Sequence, residues 1–346
     1  MNSLPRPPHE GPRPRGTLVE LPIESALLKG NALGDAHHRT LPVYLPPGYD
    51  DEPKRRYAVA HYLTGFLGTG RSKLNWKAWT EDLPTRLDRL IGDGVMGPMI
   101  VAFPDCFTLL GGSQYIDSSV CGPYARHLVE ELVPAVDRAF RTAAERDHRA
   151  VLGKSSGGFG AMVHAMLHPD TWGAAAVHSG DSYFEFCFLT DLPRTVNEIN
   201  KAGSLRAFLE RVMNKPKHSS AETHALMHVA MAACFDPQPG LPEGCSLPVD
   251  LHTGRLIEER WARWLAWDPV RMIPDHVDAL RSLRLLFIDC GFRDQYHLHY
   301  GARQMRDALL AADVGHEYQE FPDNHSSIDY RLDESLPRIH RAIAPR

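Results

Sequence analysis

No stretch of the 346-residue chain is apolar for anything near the roughly 20 residues that a membrane-spanning helix requires, so no membrane partner is expected. Charge of one sign is also scarce. Lys and Arg number 38 against 43 Asp and Glu, a formal net charge of −5, which points to no nucleic-acid partner. The six cysteines, at positions 106, 121, 187, 234, 245 and 290, include no C-x-x-C pair. Irregular spacing in a chain this long speaks for reduced structural cysteines, with a disulfide among Cys187, Cys234 and Cys245 as the alternative if the protein is exported. Internal repeats are absent. Met1 to Gly16 holds five prolines and three arginines but no apolar run. It does not read as a signal peptide and predicts a disordered or extended arm; the expected location is cytoplasmic.

What is present is ordinary in bulk, 43% hydrophobic and 23% charged. That suits one large α/β domain with an insertion, or two domains. Thr17 to Leu28 and Arg39 to Leu45 predict opening antiparallel strands. Tyr57 to Leu63 is a short apolar run followed by the glycine-rich loop 64–70. Trp76 to Ile91 has helical periodicity ending at Gly92. Met99 to Phe103 predicts a buried strand, and Tyr124 to Phe140 a helix with Leu128, Leu132, Val136 and Phe140 on one face. Gly173 to Val177 predicts another strand, after which alternation breaks. Ser182 to about Asp278 is an aromatic-rich insertion, expected to cap the carboxyl edge of the sheet. Leu283 to Ile288, Glu317 to Phe321 and the helices Tyr296 to Ala312 and Asp329 to Ala344 complete the chain. Strand–helix alternation means a mostly parallel central sheet with helices on both faces, whose ligand sites lie at the carboxyl ends of the strands. Residues 17–346 form that domain, with 182–278 as its cap-like insertion.

The stretch around Ser155 carries the chemistry. Gly153-x-Ser155-x-Gly157 follows the apolar Ala150-Val151-Leu152 and precedes a helix that His168-Pro169-Asp170 stops. A serine at the tip of a sharp strand-to-helix turn needs glycines two residues away on either side, because side chains there would collide. A serine hydroxyl needs a base, and the base an orienting acid. His325, after the last strand and before the last helix, is the expected base. Asp289, Asp294 and Asp323 compete as the acid; Asp294 is preferred because Gly291 lets its loop bend over the strand end, although it could equally cap the helix that follows. The amides of Phe66 and Ser156 are expected to bind the oxyanion. Ser113, Gln114, Tyr115 and His178 are candidates for the substrate pocket. Lys154 reads as a structural or surface cation. His224 and His228 at i, i+4, or His297 and His299 with His325, are weighed as metal ligands and set aside for want of a third ligand or for the triad reading, so no metal or cofactor is expected.

Leu63-Thr64-Gly65-Phe66, Phe103-Pro104-Asp105, Gly111-Gly112-Ser113-Gln114-Tyr115, Gly153-Lys154-Ser155-Ser156-Gly157-Gly158, Gly291-Phe292-Arg293-Asp294 and Asn324-His325 together resemble the α/β-hydrolase family of esterases. This family takes in esterase D (S-formylglutathione hydrolase), feruloyl and acetylxylan esterases, enterochelin esterases and trehalose mycolyltransferases. The resemblance runs from about Arg39 to Ala344 apart from the insertion. It implies the α/β-hydrolase fold, with Ser155 as nucleophile, Asp294 as acid, His325 as base, and the Phe66 and Ser156 amides as oxyanion hole. Lys154 stands where the family often has histidine or glutamine, and the long insertion departs from the compact esterase D pattern. The expected function is a serine carboxylic-ester hydrolase acting on a small-molecule ester. An acyltransferase with the same triad, or an inactive binding protein of the same fold, is the alternative. A second copy of the chain remains an open partner.

Overall fold

Ten strands appear among the described residues, 14–345 of this computed structural model. The first 13 residues of the expected N-terminal arm lie outside them. In chain order the strands are β1 (Thr17–Glu24), β2 (His38–Leu45), β3 (Val59–Leu63), β4 (Ile100–Ala102), β5 (Asp117–Ser118), β6 (Gly122–Pro123), β7 (Arg149–Lys154), β8 (Ala174–His178), β9 (Leu285–Gly291) and β10 (Glu317–Phe321). β5 and β6 make a small ribbon; the others form one sheet in the order β1-β2-β4-β3-β7-β8-β9-β10. β1 pairs antiparallel with β2, and β2 with β4. From β4 across to β10 every pairing is parallel.

β3, β8 and β9 are buried at every position, and β7 at all but Lys154. Strands covered on both faces require such continuous apolar runs. Period-two alternation divides their side chains between two cores. Val151, Ala175 and Val177 join Phe159, Met162, Val163 and Trp172 on one side. Ala150, Leu152, Ala174 and Ala176 meet Leu83, Leu87, Leu336 and Ile339 on the other. The latter four belong to the helices Leu83–Gly92 and Leu332–Ile343.

The sequence predicts a helix from Trp76, but the helix starts at Leu83. Asp82 caps it, accepting the Thr85 amide at 2.9 Å, and a proline occupies the first turn. Those two residues favour a helix start there. Upstream, Trp76 and Trp79 find nothing to bury against and are 74% and 85% exposed.

The insertion is mainly helical, with its longest helix at Ser220–Phe235. Its aromatic residues make a core of their own. Phe184, Phe188, Phe235 and Trp264 pack at ring centroid distances of 4.8–6.2 Å and reach the sheet domain through Phe159. The buried Asp268 carboxylate accepts amides from Tyr183 at 3.0 Å and Phe184 at 2.8 Å, which ties the two ends of the insertion together. All six cysteines are buried free thiols.

Between β7 and the helix Ser156–Leu167 the turn is as tight as the glycines suggest. A Cβ on Gly153 would fall 2.3 Å from the Gly157 carbonyl oxygen, and one on Gly157 would fall 2.1 Å from the Leu63 carbonyl oxygen of β3. Neither obstacle is a flexible side chain. Gly157→Ala is therefore expected to destabilise the fold by about 3 kcal/mol, near the upper end for overpacking, as read from urea unfolding. A loss under about 0.5 kcal/mol, typical of an unconstrained surface site, would contradict this account of the turn.

Candidate active site

Ser155 sits at the tip of that turn with φ 60° and ψ −127°. A residue with a Cβ holds such a conformation only under constraint, at roughly 1–3 kcal/mol. The constraint is visible: the Ser155 amide donates to the His178 carbonyl of β8 at 3.0 Å, and the helix's first amide bond runs from Phe159 to the Ser155 carbonyl at 2.9 Å. The Ser156 amide thus lies in the first turn, where amides have no intrahelical acceptor.

The loop after β3 lies against the serine. A Cβ on Gly65 would stand 3.2 Å from the Ser155 Cβ and 3.7 Å from its Oγ. Of the amides that follow, Leu67 donates to the Gly111 carbonyl and Gly68 to the Gly65 carbonyl, both at 2.9 Å. Tyr115 donates its hydroxyl to the Thr64 carbonyl at 2.7 Å. Residues 111–115 therefore buttress the Gly65–Phe66 loop from behind.

β9 and β10 are parallel neighbours, and the loops after them are joined. Phe292 donates its amide to the Phe321 carbonyl and Arg293 to the Asp323 carbonyl, each at 3.0 Å. Gln295 accepts the His325 amide at 3.0 Å. This junction brings the buried Asp294 carboxylate to His325, with Asp294 Oδ2 accepting from Nδ1–H at 2.8 Å. An ionised carboxylate only accepts, so Nδ1 carries the proton, and in the neutral imidazole the lone pair is then on Nε2. Asp294 Oδ1 accepts the Tyr296 amide at 2.9 Å. The Tyr296 ring meets the His325 ring edge-on with centroids 4.9 Å apart.

Ser155, Phe66 and His325 line one cavity of about 360 Å³. The insertion contributes Cys187, Phe188, Thr223, His224 and Met227 to its wall. The other two candidate acids are engaged elsewhere. Asp289 accepts from His178 Nδ1–H at 2.7 Å and from Arg331 Nε–H at 2.9 Å. Asp323 accepts the Asn324 amide at 2.8 Å and the Tyr330 hydroxyl at 3.1 Å.

Four residues expected at the pocket are not on its wall. His178 is buried, with Nδ1 on Asp289 and Nε2 accepting from the Ser335 hydroxyl at 2.9 Å; as the last residue of β8 its ring turns toward the closing helix. Ser113, Gln114 and Tyr115 are buried behind the Gly65–Phe66 loop. His228 has both ring nitrogens in hydrogen bonds, to Thr195 Oγ1 at 2.8 Å and to the Phe188 carbonyl at 3.1 Å. His224 lines the cavity, 3.3 Å from the Tyr296 hydroxyl.

The sequence reading passed over Asp181, although it follows β8 just as Asp294 follows β9. Asp181 lines the cavity and accepts from the Ser156 hydroxyl at 3.0 Å and from Gln114 Nε2–H at 3.3 Å. Burial pushes its carboxyl above the ordinary range, against the lowering pull of His325 and of the Ser156 and Gln114 donors. Lys73, Lys77 and Lys154 also line the cavity; nothing in their spacing marks the first two.

A strained serine after a strand, a carboxylate-held imidazole and a glycine loop beside the serine meet at one cavity of an α/β-hydrolase fold. The family model described as "Putative esterase" matches residues 35–343, and the chain belongs to that family. An endo-1,4-beta-xylanase/feruloyl esterase of Xylanibacter ruminicola is 29% identical over 148 residues, 42% of this chain and 20% of that protein. The chain spans about a fifth of the length of the curated relatives it matches. A solved ferulic acid esterase superposes with a TM-score of 0.61 at 19% identity, covering 95% of this chain and 99% of that one. An S-formylglutathione hydrolase from Agrobacterium tumefaciens gives 0.57 at 16%, covering 96% and 98%. The last two likenesses establish the fold.

Asp181 gives a pH-dependent expectation. Its folded pKa is raised, so its ionised form costs stability, a cost absent below the unfolded value of about 3.9 and present once pH rises through the folded value. Asparagine keeps an acceptor for Ser156 and Gln114 and removes the charge. Asp181→Asn is expected to be more stable than the parent at pH 7, with the gain shrinking toward pH 4 in urea titrations. A parent more stable at pH 7 would contradict this reading of the carboxylate.

Proposed function

We propose that the protein is a serine carboxylic-ester hydrolase working through an acyl-enzyme on Ser155. The observation that carries this reading is the 2.8 Å contact of His325 Nδ1–H with the buried Asp294 carboxylate, on an imidazole that shares its cavity with Ser155. His325 Nε2 takes the Ser155 proton as Oγ attacks the ester carbonyl. Asp294 holds the ring in the needed tautomer and stabilises the imidazolium. Charge gathering on the carbonyl oxygen is met by the Phe66 and Ser156 amides, the latter at a helix N-terminus that also favours negative charge. His325 returns the proton to the leaving alcohol. Water, deprotonated by the same nitrogen, then releases the acid. Residues 182–278 cap the cavity and supply part of its wall.

Turnover of purified variants on p-nitrophenyl esters tests these roles. Ser155→Ala is expected to lose about 10⁴-fold or more in kcat while keeping its circular dichroism spectrum. Asp294→Asn should lose up to roughly 10⁴-fold. Asp323→Asn should stay near the parent. Asp289→Asn should act through stability, because it disturbs a buried His178–Asp289–Arg331 network. Near-normal hydrolysis by folded Ser155→Ala would overturn the mechanism. A crippled Asp323→Asn beside an active Asp294→Asn would move the acid.

A further inference from the structure

The cavity that holds Ser155 carries an excess of cations. Lys73, Lys77 and Lys154 all line it. Lys73 is neutralised, its Nζ donating to Asp329 Oδ1 at 2.7 Å. Among the described residues, neither Lys77 nor Lys154 has an ion-pair partner, although carboxylates elsewhere in the chain are widely paired. Lys154 is the residue immediately before Ser155 and the only position of β7 that is not fully buried. It is partly buried and forms part of the cavity wall. Burial, and then repulsion from Lys73, push the Lys154 ammonium down to about 8, against the pull of Asp329 and Asp294.

A half-buried cation with no carboxylate in direct contact is unfavourable. Beside a nucleophile it is well placed for a charge that the substrate brings. Asp181 does not fill that need: among the described residues it pairs with neither lysine, and its Oδ2 is turned to Ser156 and Gln114.

We propose that Lys154 and Lys77 form an anion subsite, so that the preferred ester carries a carboxylate or comparable anionic group on its acyl or its alcohol part. The proposal rests on the hydrolase reading above and deepens it. In the bound ester the anion meets the two ammonium groups while the carbonyl lies between Ser155 Oγ and the Phe66 and Ser156 amides. A neutral ester of the same size reacts at the same serine without that contact, so selectivity appears in kcat/KM.

Matched esters separate the two sources of charge. Mono-p-nitrophenyl succinate against p-nitrophenyl butyrate places the carboxylate on the acyl side. Acetoxybenzoate with its carboxylate para, against phenyl acetate, places it on the alcohol side. For at least one pair the parent should prefer the anionic member in kcat/KM, by about tenfold or more, the scale of one partly screened charge pair. That preference ratio should fall about tenfold in Lys154→Met, which keeps the length of the stem. It should fall or invert in Lys77→Glu, where the exposed position poses no obstacle to folding. It should also shrink as salt is raised. Neutral esters preferred in both pairs, or a ratio unmoved by both substitutions, would overturn the subsite while leaving the hydrolase reading intact. Failure of the parent to hydrolyse any of the four esters would bring down the hydrolase reading and the subsite with it.

Discussion

Backbone crowding where β3, β7 and the helix after β7 converge governs the rest of the molecule. At Gly153 and Gly157 an added methyl group would fall well inside the van der Waals contact distance of main-chain carbonyl oxygens, at 2.3 Å and 2.1 Å. The turn leaves Ser155 in a positive-φ conformation at the end of β7, where it lines the cavity. The cost is local, of order 1–3 kcal/mol. It is offset by the two buried cores on either face, which fix β7 between β3 and β8. A strained serine at the tip of the turn is therefore a consequence of packing the helix close to the sheet.

Everything else at the site is aligned to that point by parallel strand order. β9 and β10 end side by side, and amide-to-carbonyl bonds between the loops after them place Asp294 and His325 in contact. The loop after β3 approaches Ser155 from the other side, braced by Gly111 and Tyr115. The insertion closes the remaining wall, carried by an aromatic core that packs on Phe159 of the helix Ser156–Leu167. The cavity so formed is chemically uneven. Asp181 is drawn into a hydrogen-bonded niche beside Ser156, while Lys77 and Lys154 line the same cavity with no ion-pair partner among the described residues.

Features whose cause is local were legible in the sequence. The glycine spacing around Ser155 announces the elbow because sterics at two positions suffice to demand it. The buried strands announce themselves as apolar runs, and β10 was placed at its observed bounds. That Asp294 rather than Asp289 meets His325 accords with strand position, since a residue inside β9 is fixed by the pleat while one after Gly291 is free to turn. Features that depend on tertiary neighbours were not legible. Trp76 and Trp79 have helical spacing, yet Asp82 and Pro84 start the helix later. His178 ends β8 and Ser113 to Tyr115 lie in the loop between β4 and β5, but all four lie behind the surface that faces the cavity. Most aromatic residues of the insertion serve its own packing rather than a ligand. The lysines come from the segment before the first long helix and from β7, and only the folded chain brings them to one wall.

The central claim is that Ser155 is a nucleophile activated by His325. The most direct measurement is mass spectrometry of the full-length protein and its peptides after reaction with a fluorophosphonate. The account calls for a single adduct, on Ser155, that forms quickly in the parent and is abolished or greatly slowed in a folded His325→Ala variant. An adduct on another residue, or a Ser155 that remains unlabelled in the folded parent, would contradict it.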